Sequence, residues 1–358
     1  MVPRDWHANV RDLAWSCPPA PADGHAFHRS LDGYRPTPLV EVPAAAAPLR
    51  VGRVFVKDET SRLGLPAFKV LGASWAVHRA LAAGLGAGPA PVTFVTATDG
   101  NHGRAVARTA RLLGHRAHVF VPDGVAASAV AAIAAEGAPV DDVAGSYDDA
   151  VAAAARHAEA IGGVLLQDTA WPGYERIPAW IVEGYATLFA EADEQLAAAG
   201  VGAPDLVVVP VGVGSLAQAA VTRYRSRPAP SRTAVLAVEP VGAACVLASL
   251  RAGAAVTVPT SVTSMAGLNC GTPSSLAWPV LHAGLDAAVA VADDEAEAAA
   301  PMLREAGVDA GPCGWAALAG ARAALSGGDA EDRRGALRVG NDATVLLVVT
   351  EGAAADPG

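Results

Sequence analysis

The amino-acid sequence predicts an α/β protein in which parallel sheets are flanked by helices and two units face one cleft. Three observations carry this expectation. The chain has 358 residues, more than one core of ordinary domain size accommodates. Short apolar runs alternate with segments of helical spacing in two separate sets, the pattern of repeated βα units. Both sets also carry glycine turns at strand-to-helix junctions, and in open parallel sheets ligands sit beyond the carboxyl ends of the strands.

Residues 1–50 are rich in Pro and Ala and weakly periodic, and read as an arm with short pieces of structure. Residues 54–57 form a short apolar strand, and the apolar spacing from 71 to 81 predicts a helix that begins just after Lys69. The first alternating set follows: strands at 92–97, 118–122, 140 and 164–167, with helices at 102–113, 126–136 and 147–160. A helix-rich stretch, 174–199, leads to the second set. There the strands are expected at 206–210, 234–238, 287–291 and 344–349, and the helices after 214, at 243–251 and at 315–325. Residues 327–340 are charged and read as a loop. The division that results is a large domain of residues 1–72 with 172–358 and a small α/β domain of residues 73–171.

Hydrophobic residues make up 52% of the chain and charged residues 17%, which supplies a large core and argues against disorder. The net charge of −10 disfavours nucleic acid, whose binding needs Lys and Arg to neutralise phosphates. No uninterrupted apolar span of membrane length occurs. The N-terminus lacks the charged start and apolar stretch of a signal peptide, so a cytoplasmic location is expected. Cys17, Cys245, Cys270 and Cys313 form no paired spacing of a metal site, so no metal is expected. They read as small buried hydrophobes, and the sequence leaves open whether Cys245 and Cys270 pair.

The basic residues are nearly all Arg; the lysines are Lys57 and Lys69. Lys69, flanked by Phe68, Val70 and Leu71, is expected to be partly desolvated. Desolvation lowers a lysine's pKa and frees its amine as a nucleophile toward a carbonyl; the structural alternative is a lysine that snorkels at a helix start. Lys57 reads as structural or cleft-lining. Gly212, Val213, Gly214, Ser215 and Leu216 follow an apolar strand and open a helix. Backbone N–H groups there suit a phosphate, although such a turn is as often structural. Asp99 and Asn101 occupy the corresponding junction of the first set, where shaping the turn and capping the helix is the simpler role. The last strand ends at Thr350, whose hydroxyl sits at the cleft end, on a residue type that strands favour in any case.

Together these residues resemble the tryptophan-synthase-β family of pyridoxal phosphate (PLP) enzymes, fold type II. The order matches: a lysine, an Asn-containing turn, a glycine-rich phosphate loop, and a C-terminal Ser or Thr. Within that family the chain is similar to the diaminopropionate ammonia-lyases. The details are Lys69 in Ala-Phe-Lys-Val-Leu-Gly, Asp99 in Thr-Asp-Gly-Asn-His-Gly-Arg, Asp168 in the stretch 167–181, and Met-Ala-Gly-Leu-Asn-Cys-Gly at 265–271. The resemblance covers about residues 36–350.

The resemblance implies a two-domain fold with the cofactor in the cleft. Lys69 would hold PLP as a Schiff base, Asn101 would bond its ring hydroxyl, residues 212–216 would cradle its phosphate, and Thr350 would meet its pyridine nitrogen. It implies elimination of ammonia from an amino-acid substrate, 2,3-diaminopropionate, with pyruvate as product, in a homodimer. Lys69, freed and near neutral pKa, would take the Cα proton of the L-enantiomer, Asp99 that of the D-enantiomer, and Asp168 would pair with the second ammonium. Two other readings stand beside this one. One is a PLP-dependent dehydratase or β-replacement enzyme acting on a related amino acid. The other is a PLP-binding protein without catalysis. Asp99 argues against a plain dehydratase, and the joint presence of Lys69, Asp99 and Asp168 argues against an inert relative.

Overall fold

Eleven strands in two sheets make up the framework of the computed structural model, which describes residues 5–86, 91–226 and 232–355. In chain order the strands are β1 (Trp6–Ala8), β2 (Leu39–Glu41), β3 (Arg53–Asp58), β4 (Thr93–Ala97), β5 (Arg116–Pro122), β6 (Val140–Val143), β7 (Val164–Leu165), β8 (Leu206–Pro210), β9 (Ala234–Pro240), β10 (Ala287–Val291) and β11 (Thr344–Val349). The larger sheet has the order β1-β10-β9-β8-β11-β3-β2 and the smaller β6-β5-β4-β7. All pairings are parallel except at the two edges of the larger sheet, where β1 runs antiparallel to β10 and β2 to β3. Strands β8 to β11 are buried along their whole length. Helices cover both faces of such a sheet, which is why these strands read as continuous runs of Val, Leu and Ala rather than as alternating patterns.

The helices are α1 (Asp23–Arg29), α2 (Pro43–Leu49), α3 (Lys69–Ala82), α4 (Asn101–Leu112), α5 (Ala127–Ala134), α6 (Tyr147–Ile161), α7 (Arg176–Ala198), α8 (Ser215–Arg225), α9 (Cys245–Ala252), α10 (Ala277–Gly284), α11 (Asp293–Glu297), α12 (Ala300–Glu305), α13 (Pro312–Leu325) and α14 (Ala330–Leu337). Helix α6 starts at a reciprocal cap, with Ser146 accepting from the Asp149 N–H and the Asp149 carboxylate accepting from the Ser146 N–H, a device that satisfies otherwise orphaned helix donors. Helices α3 and α7 touch backbone to backbone. A Cβ on Gly184 would lie 2.5 Å from the Leu71 carbonyl oxygen, and one on Gly72 2.5 Å from the Tyr185 ring. This close seat fixes the first turn of α3, and with it Lys69.

The stretch 327–340 departs from the loop expected of it: it contains α14. Two of its arginines are turned inward, while Glu331 and Asp332 stay exposed. Arg333 donates to the carbonyl oxygens of Ala324 and Ser326, and Arg334 to those of Leu49 and Arg50. Buried guanidinium groups satisfied by distant carbonyls look, in sequence, like a solvated charge run. The N-terminal segment expected as an arm contributes both edge strands of the larger sheet. Lys57 is structural. It is fully buried and donates to the Thr37 carbonyl, to Glu191 at 2.7 Å and to Gln195. Among the described residues no helix is long and apolar enough to cross a membrane.

Candidate active site

The carboxyl ends of strands from both sheets open onto one cavity of about 540 Å³. The residues expected from the sequence to act in catalysis or hold the cofactor all line it: Lys69, Asp99, Asn101, Asp168, Gly212, Val213, Gly214, Ser215, Leu216 and Thr350. Lys69 is the first residue of α3. Asp99 and Asn101 follow β4, Asp168 follows β7, the glycine turn follows β8, and Thr350 directly follows β11. The convergence is a consequence of parallel strands, which all deliver their following loops to the same edge.

Lys69 Nζ donates to Asp168 Oδ2 at 2.6 Å. Burial pulls the lysine's pKa down, but the Asp168 charge and hydrogen bond outweigh it, and the net shift is upward. This corrects the expectation that desolvation lowers it: the apolar neighbours in sequence are real, but a carboxylate from a distant loop decides the sign. Asp168 is affected reciprocally. Burial pushes its pKa up, Lys69 and His102 pull it further down, and it stays well below the ordinary carboxylate range. In the ligand-free chain Lys69 is an ammonium and Asp168 an anion.

Asp168 has further neighbours. Tyr147 Oη lies 3.4 Å from Oδ1 and itself accepts from Gln167 Nε2 at 2.6 Å. The Ser215 hydroxyl donates to the Asp168 carbonyl at 2.9 Å, which ties the glycine turn to this loop. His102 Nε2 bonds the Leu166 carbonyl, and Nδ1 faces Asp168 Oδ2 at 3.9 Å. Asp99 stands apart. Burial first and the Asp168 charge second push its carboxyl up to about 7, with Lys69 opposing.

The turn after β8 is shaped for an anion. Gly214 has φ +99°, a conformation that glycine adopts without strain. A Cβ there would meet Leu281 at 2.6 Å, and one on Gly212 would meet Cys270 Sγ at 3.0 Å. The first N–H groups of α8 have no partner within the helix and carry its positive end. Across the cavity the Thr350 hydroxyl is buried with no hydrogen-bond partner, as is Asn269 Oδ1. Orphaned buried polar atoms are uncommon in proteins and call for a ligand or water. An amine, an anion cradle, an unpartnered hydroxyl and the Asn101 amide therefore fit a phosphorylated aromatic aldehyde.

Several lining residues escaped the sequence reading: Tyr147, Glu351, Cys270 and Cys313 line the cavity, with His102, which was read only as part of its turn. Glu351 accepts from Asn101 Nδ2 at 2.7 Å, and the only signal for it was its place directly after Thr350. Tyr147 read as a helix start, with nothing local to mark its hydroxyl. All four cysteines are free thiols, so Cys245 and Cys270 do not pair. Burial pushes the thiols of Cys270 and Cys313 up, which keeps them protonated and unreactive.

Comparison with known proteins agrees with this chemistry. The model of the pyridoxal-phosphate dependent enzyme family matches residues 30–351. The chain is 39% identical over 270 residues to a diaminopropionate ammonia-lyase of Escherichia coli K12, covering 72% of this chain and 68% of that protein. The crystal structure of the Escherichia coli diaminopropionate ammonia-lyase in complex with an aminoacrylate-PLP azomethine reaction intermediate superposes with a TM-score of 0.90 at 33% identity, covering 99% of this chain and 95% of that one. Its complex with D-serine gives 0.88 at 32%, with 98% and 94% covered.

Proposed function

We propose that this chain, which belongs to the pyridoxal-phosphate dependent enzyme family, is an ammonia-lyase that converts 2,3-diaminopropionate to pyruvate and ammonia. The observation that carries the reading is the carboxylate of Asp168 at 2.6 Å from Lys69 Nζ, a buried anion already holding an ammonium where an aminated substrate would react.

Bound in the cavity, pyridoxal phosphate supplies an aldehyde that takes up amines and a ring that accepts electron density from Cα. Lys69 would hold it through Nζ, the turn 212–216 through backbone N–H groups, Asn101 at the ring oxygen and Thr350 at the pyridine nitrogen. Thr350 offers a hydroxyl where a carboxylate would keep that nitrogen protonated. The residue thereby favours elimination over transamination.

Asp168 has two ammonium partners in turn. The substrate's second ammonium takes the place of Lys69 Nζ at Oδ2, and Lys69 loses the interaction that raises its pKa. With that interaction gone, burial, the largest influence on the lysine, pulls its pKa down, so Nζ becomes able to accept the Cα proton of the L-enantiomer. Asp99 accepts the corresponding proton of the D-enantiomer. Asp168 keeps the departing nitrogen protonated, and the nitrogen leaves as ammonia with the bonding electrons. Tyr147 and His102 hold Asp168 in place.

Asp168→Asn tests this assignment. The variant should lose roughly a hundredfold in kcat/KM for diaminopropionate, as removal of a charged partner does, and much less for L-serine, which has no second ammonium. An equal loss for both substrates would contradict the pairing. The division into residues 1–72 with 172–358 and residues 73–171 is proposed on the two sheets, which those segments contain separately. A homodimer acting in the cytoplasm is the assembly and location that the family resemblance favours, and sedimentation velocity of the purified protein tests the first.

A further inference from the structure

We propose that Glu351 is a positioning residue whose carboxylate fixes the Asn101 amide in the orientation that receives the cofactor. The inference rests on the reading of Asn101 as the contact to the cofactor's ring oxygen. Glu351 lines the cavity and is 5% exposed. Its Oε2 accepts from Asn101 Nδ2 at 2.7 Å, and its Oε1 accepts from the Cys313 backbone N–H, at the start of α13, at 3.1 Å. Its backbone is anchored separately. Residue 351 bridges Ala67, just ahead of Lys69, and its carbonyl accepts from the Gly311 N–H at 3.0 Å. The following N–H, of Gly352, donates to the Pro66 carbonyl at 2.9 Å. The carboxylate thus projects from a fixed point beside the larger sheet to the first residue of α4 beside the smaller one.

A carboxylate only accepts hydrogen bonds, and an amide donates from its nitrogen alone. Asn101 can therefore face Glu351 only with Nδ2, and the amide is held against the flip that an isolated Asn permits. One Nδ2 hydrogen is committed to Glu351 and the other stays available to an acceptor in the cavity. An ionised ring oxygen needs a donor there, and a donor fixed in advance by a charged partner loses little freedom on binding. Without the carboxylate the amide is free to turn its oxygen toward the ring, where it would repel.

The test is a double-mutant cycle on cofactor binding by the full chain, read from the visible absorbance and the dissociation constant of pyridoxal phosphate. Glu351→Ala should weaken cofactor binding roughly tenfold, the effect of losing one well-placed hydrogen bond to a charged acceptor, and should shift the absorbance toward that of Asn101→Ala. In the Asn101→Ala background the same change should have little effect, because coupled residues are not additive. Glu351→Gln, which keeps the volume and one acceptor, should fall between and guards against a folding defect. Equal weakening in both backgrounds would overturn the positioning role and leave the assignment of Asn101 standing. No weakening by Asn101→Ala alone would overturn both.

Discussion

Lys69 and Asp99 show how a single residue's behaviour depends on partners that sequence does not display. The apolar flank of Lys69 was legible, but its charge state was not, because Asp168 lies 99 residues further along the chain. Asp99 was legible as an acid in a turn, not as a carboxyl raised to about 7 by burial and by Asp168. The consequence for stability has a definite sign. Folded Asp99 keeps its proton to about pH 7, whereas an unfolded Asp releases it near 3.8. The folded state therefore binds more protons in that window, and this group makes the ligand-free protein less stable as pH rises through it. Asp99→Asn should melt about 2–4 °C higher than the parent at pH 8 and show no such gain at pH 3.5, while losing turnover of the D-enantiomer and keeping that of the L-enantiomer. Thermal melts at the two pH values and assays with each enantiomer check this; loss of L-turnover with D-turnover spared would refute the role given to Asp99.

At the scale of elements, strands were easier to read than helices. The buried strands β8, β10 and β11 announce themselves as unbroken apolar runs, but α10, α11 and α12 lie in Ala-rich sequence with little periodic contrast, and α14 hides its buried arginines among solvated charges. The same concealment applies to the ion cluster that joins β3 and its following loop to α7. Arg62, 1% exposed, donates to Glu59, Glu191 and the Thr37 hydroxyl, and Lys57 shares Glu191. Burial raises the pKa of Glu191, but Arg62 and Lys57 outweigh it and hold its carboxyl at about 2, below its ordinary 4.5. That contribution is present above pH 4.5 and is lost as pH falls toward 2. Removing Arg62 leaves buried Glu59 without its hydrogen-bonded cation and Glu191 with Lys57 alone, so Arg62→Ala should destabilise the protein by about 3–5 kcal/mol. Urea denaturation at neutral pH measures it, and a loss under 1 kcal/mol would show that the cluster is solvated.

For the whole molecule, the alternation of strand and helix was enough to place both glycine turns, with Asp99 in the first, and the terminal threonine at one cleft, since parallel sheets present their carboxyl ends together; Asp168 was reached only through the family resemblance. What that logic leaves out is the wiring across the cleft: Asp168 to Lys69, Ser215 to the Asp168 carbonyl, Glu351 to Asn101. Each of these contacts joins loops far apart in the chain, and each depends on side-chain direction rather than on residue type. The wiring also carries the functional distinction. A pyridoxal phosphate site with a neutral lining would suit hydroxyl elimination, whereas this cavity sets the Asp168 carboxylate against the amine and has Asp99 in its lining. The most direct test is the release of pyruvate and ammonia by the cofactor-loaded protein from L- and D-2,3-diaminopropionate, with L-serine and L-threonine assayed in parallel. Release from both diaminopropionate enantiomers, well above that from the hydroxy amino acids, is the predicted result. Serine or threonine turned over in preference, or no release from diaminopropionate while the cofactor's absorbance remains intact, would contradict it.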